Sequence, residues 1–165
     1  QKPHPMHRLL QGEVGSGKTV IALRAALAVI ETGGQAAILA PTEVLAIQHA
    51  RTIENLLGDL ALGGTILGSG VGTQVSLLTG SLAKERKQKE LARISNGEVG
   101  LVIGTHALIQ EGVEFKDLAL VIVDEQHRFG VEQRDALRMK AKLPPHLLVM
   151  TATPIPRTEI GRAHV

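Results

Sequence analysis

Cysteine, tryptophan and tyrosine are absent from this 165-residue chain, and phenylalanine occurs only at Phe115 and Phe129. Without cysteine there can be no disulfide, thiolate metal site or cysteine nucleophile, which permits a reducing interior without requiring one. Two aromatics offer almost no platform for stacking unpaired bases, so any contact with nucleic acid has to run through its backbone. Long apolar runs are also lacking: the longest, Val20 to Ile30, carries Arg24 and is too short to span a bilayer. The opening residues, QKPHPMHRLL, contain neither the apolar core nor the small-residue cleavage site of a secretion signal. Charge of one sign is scarce as well. Eighteen Lys and Arg against 16 Asp and Glu leave a net charge of +2, which argues neither for nor against a polyanionic partner. What is plentiful is apolar residue, at 44%, enough at one-domain length to build a core and to exclude disorder and collagen-like structure.

Short apolar runs alternate with longer helical patterns, the signature of an α/β fold with a mostly parallel sheet and helices on both faces. Strands are expected at Arg8–Gln11, Ala36–Ala40, Val75–Thr79, Leu101–Gly104, Ala119–Val123 and Leu147–Thr151. The fifth belongs to LALVIVD, apolar without alternation, as in a central strand buried on both sides. A helix from Lys18 to Thr32 repeats apolar residues at Val20, Leu23, Leu27 and Ile30 and exits at Gly33-Gly34. A second is expected from Glu43 to Leu57. A third runs from a serine cap at Ser81 to about Ile94, its charge run from Lys84 to Arg93 read as a solvated face. The glycine-rich stretch from Leu62 to Gly72 reads as a flexible connection.

Gly12-Glu13-Val14-Gly15-Ser16-Gly17-Lys18-Thr19 fits G-x-x-x-x-G-K-[ST], directly after a candidate strand and before a helix. At ordinary residue frequencies that pattern arises by chance in roughly one chain of this size in 200. The physics is specific: Gly12, Gly15 and Gly17, with Ser16, let backbone N–H groups close around phosphates, and the helix directs the positive end of its dipole there. Lys18 supplies a movable cation for the β- and γ-phosphates and Thr19 a hydroxyl for Mg²⁺, so a nucleotide with Mg²⁺ is the expected ligand. Asp124-Glu125-Gln126-His127 follows the all-apolar strand, placing Asp124 at the carboxyl edge of the sheet, where ligands bind in open α/β folds. Asp124 would hold the metal and Glu125 would orient and deprotonate the attacking water. The histidines, His4, His7, His49, His106, His127, His146 and His164, show no metal-ligand spacing. No guanine-type N-K-x-D, nucleophile elbow or G-x-G-x-x-G is present. A small-molecule kinase would leave DEQH and TATP unexplained.

The ordered set GEVGSGKT, APTEVLA, GTHALI, VDEQHRFG and TATPIPRT resembles motifs I, Ia, Ib, II and III of superfamily 2 helicases and translocases. MHRLLQGEVGSGKT, DEQHRFGVEQR and TATPIPRT resemble the RecG-type, DExH-class branched-DNA helicases of bacteria, from about Pro5 to Glu159. Transcription-repair coupling factors share HRFG and TATPIPRT, but Gln126 and Ser16 depart from their pattern.

The resemblance implies a RecA-like P-loop fold over residues 1–159, incomplete at its amino end, whose partner, a second RecA-like motor domain, is missing. Residues 160–165, IGRAHV, read as a translated adapter artefact. It further implies DNA as a partner, touched through phosphates by Thr42, by Thr79 and Gly80, and by Thr105 and His106. Helix caps and turns are the plain alternative for these segments. Gln126, His127, Thr151 and Thr153 are implied to couple nucleotide state to DNA grip, with His127 alternatively a satisfied interior histidine. The implied activity is ATP-driven movement on branched or duplex DNA in recombination and repair, in the bacterial cytoplasm and away from membranes. Lys18, Asp124 and Glu125 would carry the hydrolysis. The alternatives are a coupling-factor motor or, for the chain by itself, a nucleotide-binding module without useful turnover.

Overall fold

The computed structural model describes residues 7–11, 16–63, 74–110, 112–124 and 131–151. Six strands form one sheet: β1 (His7–Gln11), β2 (Gln35–Leu39), β3 (Val75–Leu78), β4 (Leu101–Gly104), β5 (Leu118–Asp124) and β6 (His146–Thr151). Their spatial order is β1-β6-β5-β2-β4-β3, and every neighbouring pair is parallel. Each expected strand is present to within about a residue at either end.

Two layers of helix cover the sheet, as parallel strands joined by crossovers require. On one face α1 (Ser16–Glu31) and α2 (Glu43–Gly63) pack Ala22, Leu23, Ala26, Ala46, Ala50 and Ile53 onto Ile38, Ile103, Ile122 and Leu148. The opposite face receives α3 (Lys84–Ser95), a 3₁₀ turn (His106–Ile109) and α4 (Val131–Arg138), with Ile94, Leu108 and Leu137 against Leu39, Val102, Val121 and Val123. The alanines on α1 and α2 let helix backbone approach sheet closely. Among the described residues no helix is long and apolar enough to cross a membrane.

The exit from α1 is a Schellman motif. Gly33 has φ +95°, its N–H bonds the carbonyl of Ile30, and the N–H of Gly34 bonds that of Val29. A Cβ at Gly34 would lie 2.9 Å from Val29 Cγ1 and 3.0 Å from Ala119 Cβ, so the turn also needs glycine for closeness. Immediately beyond it, Gln35 is buried with its amide fully used. Nε2 donates to the carbonyls of Ile94 and Val99, and Oε1 accepts from the N–H of Asp117. One side chain thereby joins the entry to β2, the end of α3 and the entry to β5.

Four expectations need correction. Helix α2 runs on to Gly63 rather than stopping at Leu57, because Gly58 costs an interior turn only about 1 kcal/mol and the apolar pattern continues past it. Ser81 does not cap α3: Ala83 occupies that position without a side-chain bond, and Ser81 Oγ instead donates to Glu43 Oε2. The charge run is not a uniformly solvated face, since Glu90 is buried against the edge strand β3. The 3₁₀ turn and α4 have no counterpart in the sequence reading; both are short, and α4 follows the acidic motif directly. The connection from Leu62 to Gly72 begins as the end of α2, and its part from residue 64 lies outside the described residues.

Glu90 is held as an ion. Ser76 Oγ donates to Oε1 at 2.6 Å, Arg93 Nη1 donates to both carboxylate oxygens at 2.9 and 3.1 Å, and Arg86 pairs from the exposed side. Burial alone would push the carboxyl up. The Ser76 hydroxyl and the two guanidinium groups outweigh it and hold Glu90 below its ordinary value of 4.5. A carboxyl lowered on folding contributes stability that is complete above the unfolded value and is lost as pH falls through the folded one. Chemical denaturation at stepped pH should therefore show stability falling below about pH 4.5 more steeply in the native chain than in Glu90→Gln. At neutral pH the variant should be weaker by roughly 1–3 kcal/mol, and equal stability there would contradict the assignment.

Candidate functional site

Parallel strands end together, so the sheet has a single carboxyl edge. Thr19 and Lys18 stand in the first turn of α1, which rises from β1 at that edge, Thr19 7% exposed and Lys18 half-buried. Asp124 is the last residue of β5 and is also 7% exposed. Register places Gln11 opposite Thr151 and Asp124 opposite Met150, so β1 and β5 flank β6 with their ends two strand spacings, about 10 Å, apart. Alternation along β5 decides the face. Leu120 and Ile122 belong to the cluster beneath α1 and α2, and Asp124 follows them on that side, toward the start of α1. A hydroxyl and a carboxylate, both buried, are hard oxygen donors of the class Mg²⁺ accepts, and a lysine at a helix amino end suits a phosphate. These donors fit a metal-bound nucleotide in their chemistry.

Gly12, Gly15, Glu125, Gln126, His127, Thr153 and residues 160–165 lie outside the described residues. Ser16 and Gly17 open α1 and Thr151 ends β6.

One neighbour of Asp124 was not anticipated. His49, on α2, places Nε2 2.7 Å from Asp124 Oδ2. A carboxylate only accepts, so the imidazole nitrogen donates. The signal available in sequence was an imidazole beside the buried stripe Ala46, Ala50 and Ile53, at helical spacing from the P-T-E segment; metal-ligand spacing was the wrong criterion for it.

The segments implied to face DNA leave three adjacent strands, β2, β4 and β3, at the same edge. Thr42 caps α2, its Oγ1 accepting from the N–H of Leu45 at 3.1 Å, and it remains exposed. Thr105 is buried and caps the 3₁₀ turn through the N–H of Ala107, while His106 is exposed. Thr79 is buried with its hydroxyl 3.4 Å from Ser81 Oγ, and Gly80 is exposed. The bond from Ser81 to Glu43 joins the loop after β3 to the start of α2. Structure thus brings all five positions to one edge and gives the three threonines local roles there.

Residues 4–160 match the family model for DEAD/DEAH box helicases. The chain belongs to that family. Its sequence is similar to the ATP-dependent DNA helicase RecG of Mycobacterium tuberculosis, 61% identical over 156 residues that make up 93% of this chain and 21% of that protein. RecG of Aquifex aeolicus is 51% identical, covering 93% of this chain and 18% of its own length. Among solved structures, RecG bound to a three-way DNA junction shares the fold with a TM-score of 0.72 at 44% identity, over 96% of this chain and 19% of that one. A DEAD box protein from Methanococcus jannaschii, at 22% identity, TM-score 0.63, and 95% and 42% coverage, shows the fold alone. This helicase domain therefore spans about a fifth of the RecG relatives it matches.

Gly104, at the end of β4, has a packing reason to be glycine. A Cβ there would stand 2.3 Å from the carbonyl oxygen of Leu78 and 2.9 Å from Leu108 Cγ. Gly104→Ala should separate β4 from β3 or displace the 3₁₀ turn and cost about 1–3 kcal/mol. Denaturant titration checks this, and a stability equal to that of the native chain would show that the strands yield freely.

Proposed function

We propose that this chain is the first motor domain of a RecG-type DNA helicase, binding ATP with Mg²⁺ and, joined to a second RecA-like domain, hydrolysing it to move on branched or duplex DNA. The observation that carries this reading is the gathering of Lys18, Thr19 and Asp124 on one face of one sheet edge, although Asp124 lies far along the chain. The RecG similarity supports recombination and repair as the setting, and the bacterial cytoplasm as the compartment of a motor that uses ATP on DNA.

Each residue has a derived task. Backbone amides from Gly12 to Gly17 and the amino end of α1 cradle the phosphates, Lys18 neutralises charge developing on the γ-phosphate, and Thr19 and Asp124 hold the metal. Held by Thr19 and Asp124, the metal would supply positive charge that offsets the phosphates' repulsion of an attacking water. Glu125, next in sequence to Asp124, orients that water and takes its proton. Such sites add an arginine from a partner domain, worth about 10³–10⁵ in rate. The chain by itself is accordingly a nucleotide-binding module of little turnover. Thr42, Gly80 and His106, exposed along the neighbouring part of the edge, meet DNA phosphates without reading bases. Thr79 and Thr105 shape those loops from beneath, and Gln126, His127, Thr151 and Thr153 relay nucleotide state to them.

Calorimetric titration with Mg-ATP tests the nucleotide site. Lys18→Ala should weaken binding by about 1.5–3 kcal/mol, roughly 10- to 150-fold; undiminished affinity would remove Lys18 from the phosphates. Thr42→Asp separates a cap from a DNA contact. Asp caps as well as Thr, so melting should shift by no more than about 2 °C. A new carboxylate about 4 Å from a phosphate adds about 1 kcal/mol of repulsion, so duplex binding should fall about fivefold at low salt. Unchanged binding would leave Thr42 a cap only.

A further inference from the structure

The bond between His49 and Asp124 joins two parts of the site that sequence keeps 75 residues apart. His49 is two turns into α2, beside the apolar stripe of Ala46, Ala50 and Ile53 that packs on the sheet, with its side chain 15% exposed. An aliphatic side chain would pack there without the cost of desolvating an imidazole, a cost the hydrogen bond to Asp124 offsets. Asp124 sits at a strand end, where a carboxylate can rotate about two side-chain bonds; a donor at 2.7 Å on Oδ2 selects one orientation. Partners of this kind around a metal-binding carboxylate commonly change metal affinity 10- to 100-fold when removed.

We propose that His49 is a positioning residue for the metal site: by donating from Nε2 it orients the Asp124 carboxylate toward the cation of a bound nucleotide and ties it to α2. This rests on the reading of Lys18, Thr19 and Asp124 as the Mg-nucleotide site. The helix that begins at the exposed cap Thr42 therefore also holds the metal-binding carboxylate, about 10 Å along its axis.

The test measures affinity of the 165-residue chain for ADP in excess Mg²⁺ and in EDTA, and compares the gain that Mg²⁺ brings. His49→Ala should reduce that gain roughly tenfold while affinity in EDTA stays unchanged. His49→Gln, whose amide Nε2 reaches a similar position, should restore most of it. Asp124→Ala should abolish the gain, and the double variant should be no worse than Asp124→Ala, the non-additivity expected of residues acting through one contact. Overturning results are an undiminished gain in His49→Ala, equal weakening with and without Mg²⁺ accompanied by a lower melting temperature, or additive losses in the double variant. If the native chain shows no nucleotide binding, the nucleotide-site reading falls and takes this one with it. If Mg²⁺ helps the native chain and His49→Ala equally, only the positioning role falls.

Discussion

The alignment of six parallel strands at a common carboxyl edge is the constraint on which the rest of this structure depends. Each ladder of backbone hydrogen bonds fixes the register of one strand on the next, so Gln11, Asp124 and Gly104 end at the same border although they come from distant parts of the chain. Pleating then sorts side chains by parity: Asp124 shares its face with Leu120 and Ile122, under the two helices that bring Thr19 and His49. A slip of one residue in β5 would turn its carboxylate to the opposite layer and empty the site of its acid.

Polar residues buried in this domain act as joints between elements. Gln35 closes three chain segments with one amide, Glu90 fastens α3 to the edge strand β3 through Ser76, and His49 fastens α2 to β5. Each is satisfied by hydrogen bonds, as low-dielectric surroundings demand. The apolar layers supply most of the driving force and little directional information; these joints say which helix sits where. At the carboxyl edge the bond between Ser81 and Glu43 ties the loop after β3 to the start of α2.

Much of the architecture was legible from local pattern. β5 announced itself by seven residues with almost no polar interruption, and α1 by its stripe and glycine exit, because burial on two faces and chain reversal each leave a compositional mark. The pattern G-x-x-x-x-G-K-[ST] stood out in the sequence because a phosphate-binding turn needs glycine, lysine and a hydroxyl at fixed offsets. Ser81 misled for an instructive reason. A hydroxyl ahead of a charged helix is the usual sign of a cap, yet a carboxylate from another helix, Glu43, lies closer and claims it. Glu90 was hidden in a run of charges for the same kind of reason: its burial comes from β3, a strand earlier in the chain.

By itself the amino-acid sequence determined the alternation of strands and helices, the Gly-Lys-Thr run in the first turn of α1 and the acid at the end of β5. All of these are encoded within windows of a few residues, where backbone propensity and side-chain type act locally. Tertiary structure alone decided the strand order, the face on which Asp124 stands, and its pairing with His49 across 75 residues. Such contacts follow from packing between layers, and a long-range contact leaves no periodicity in the chain from which it could be read.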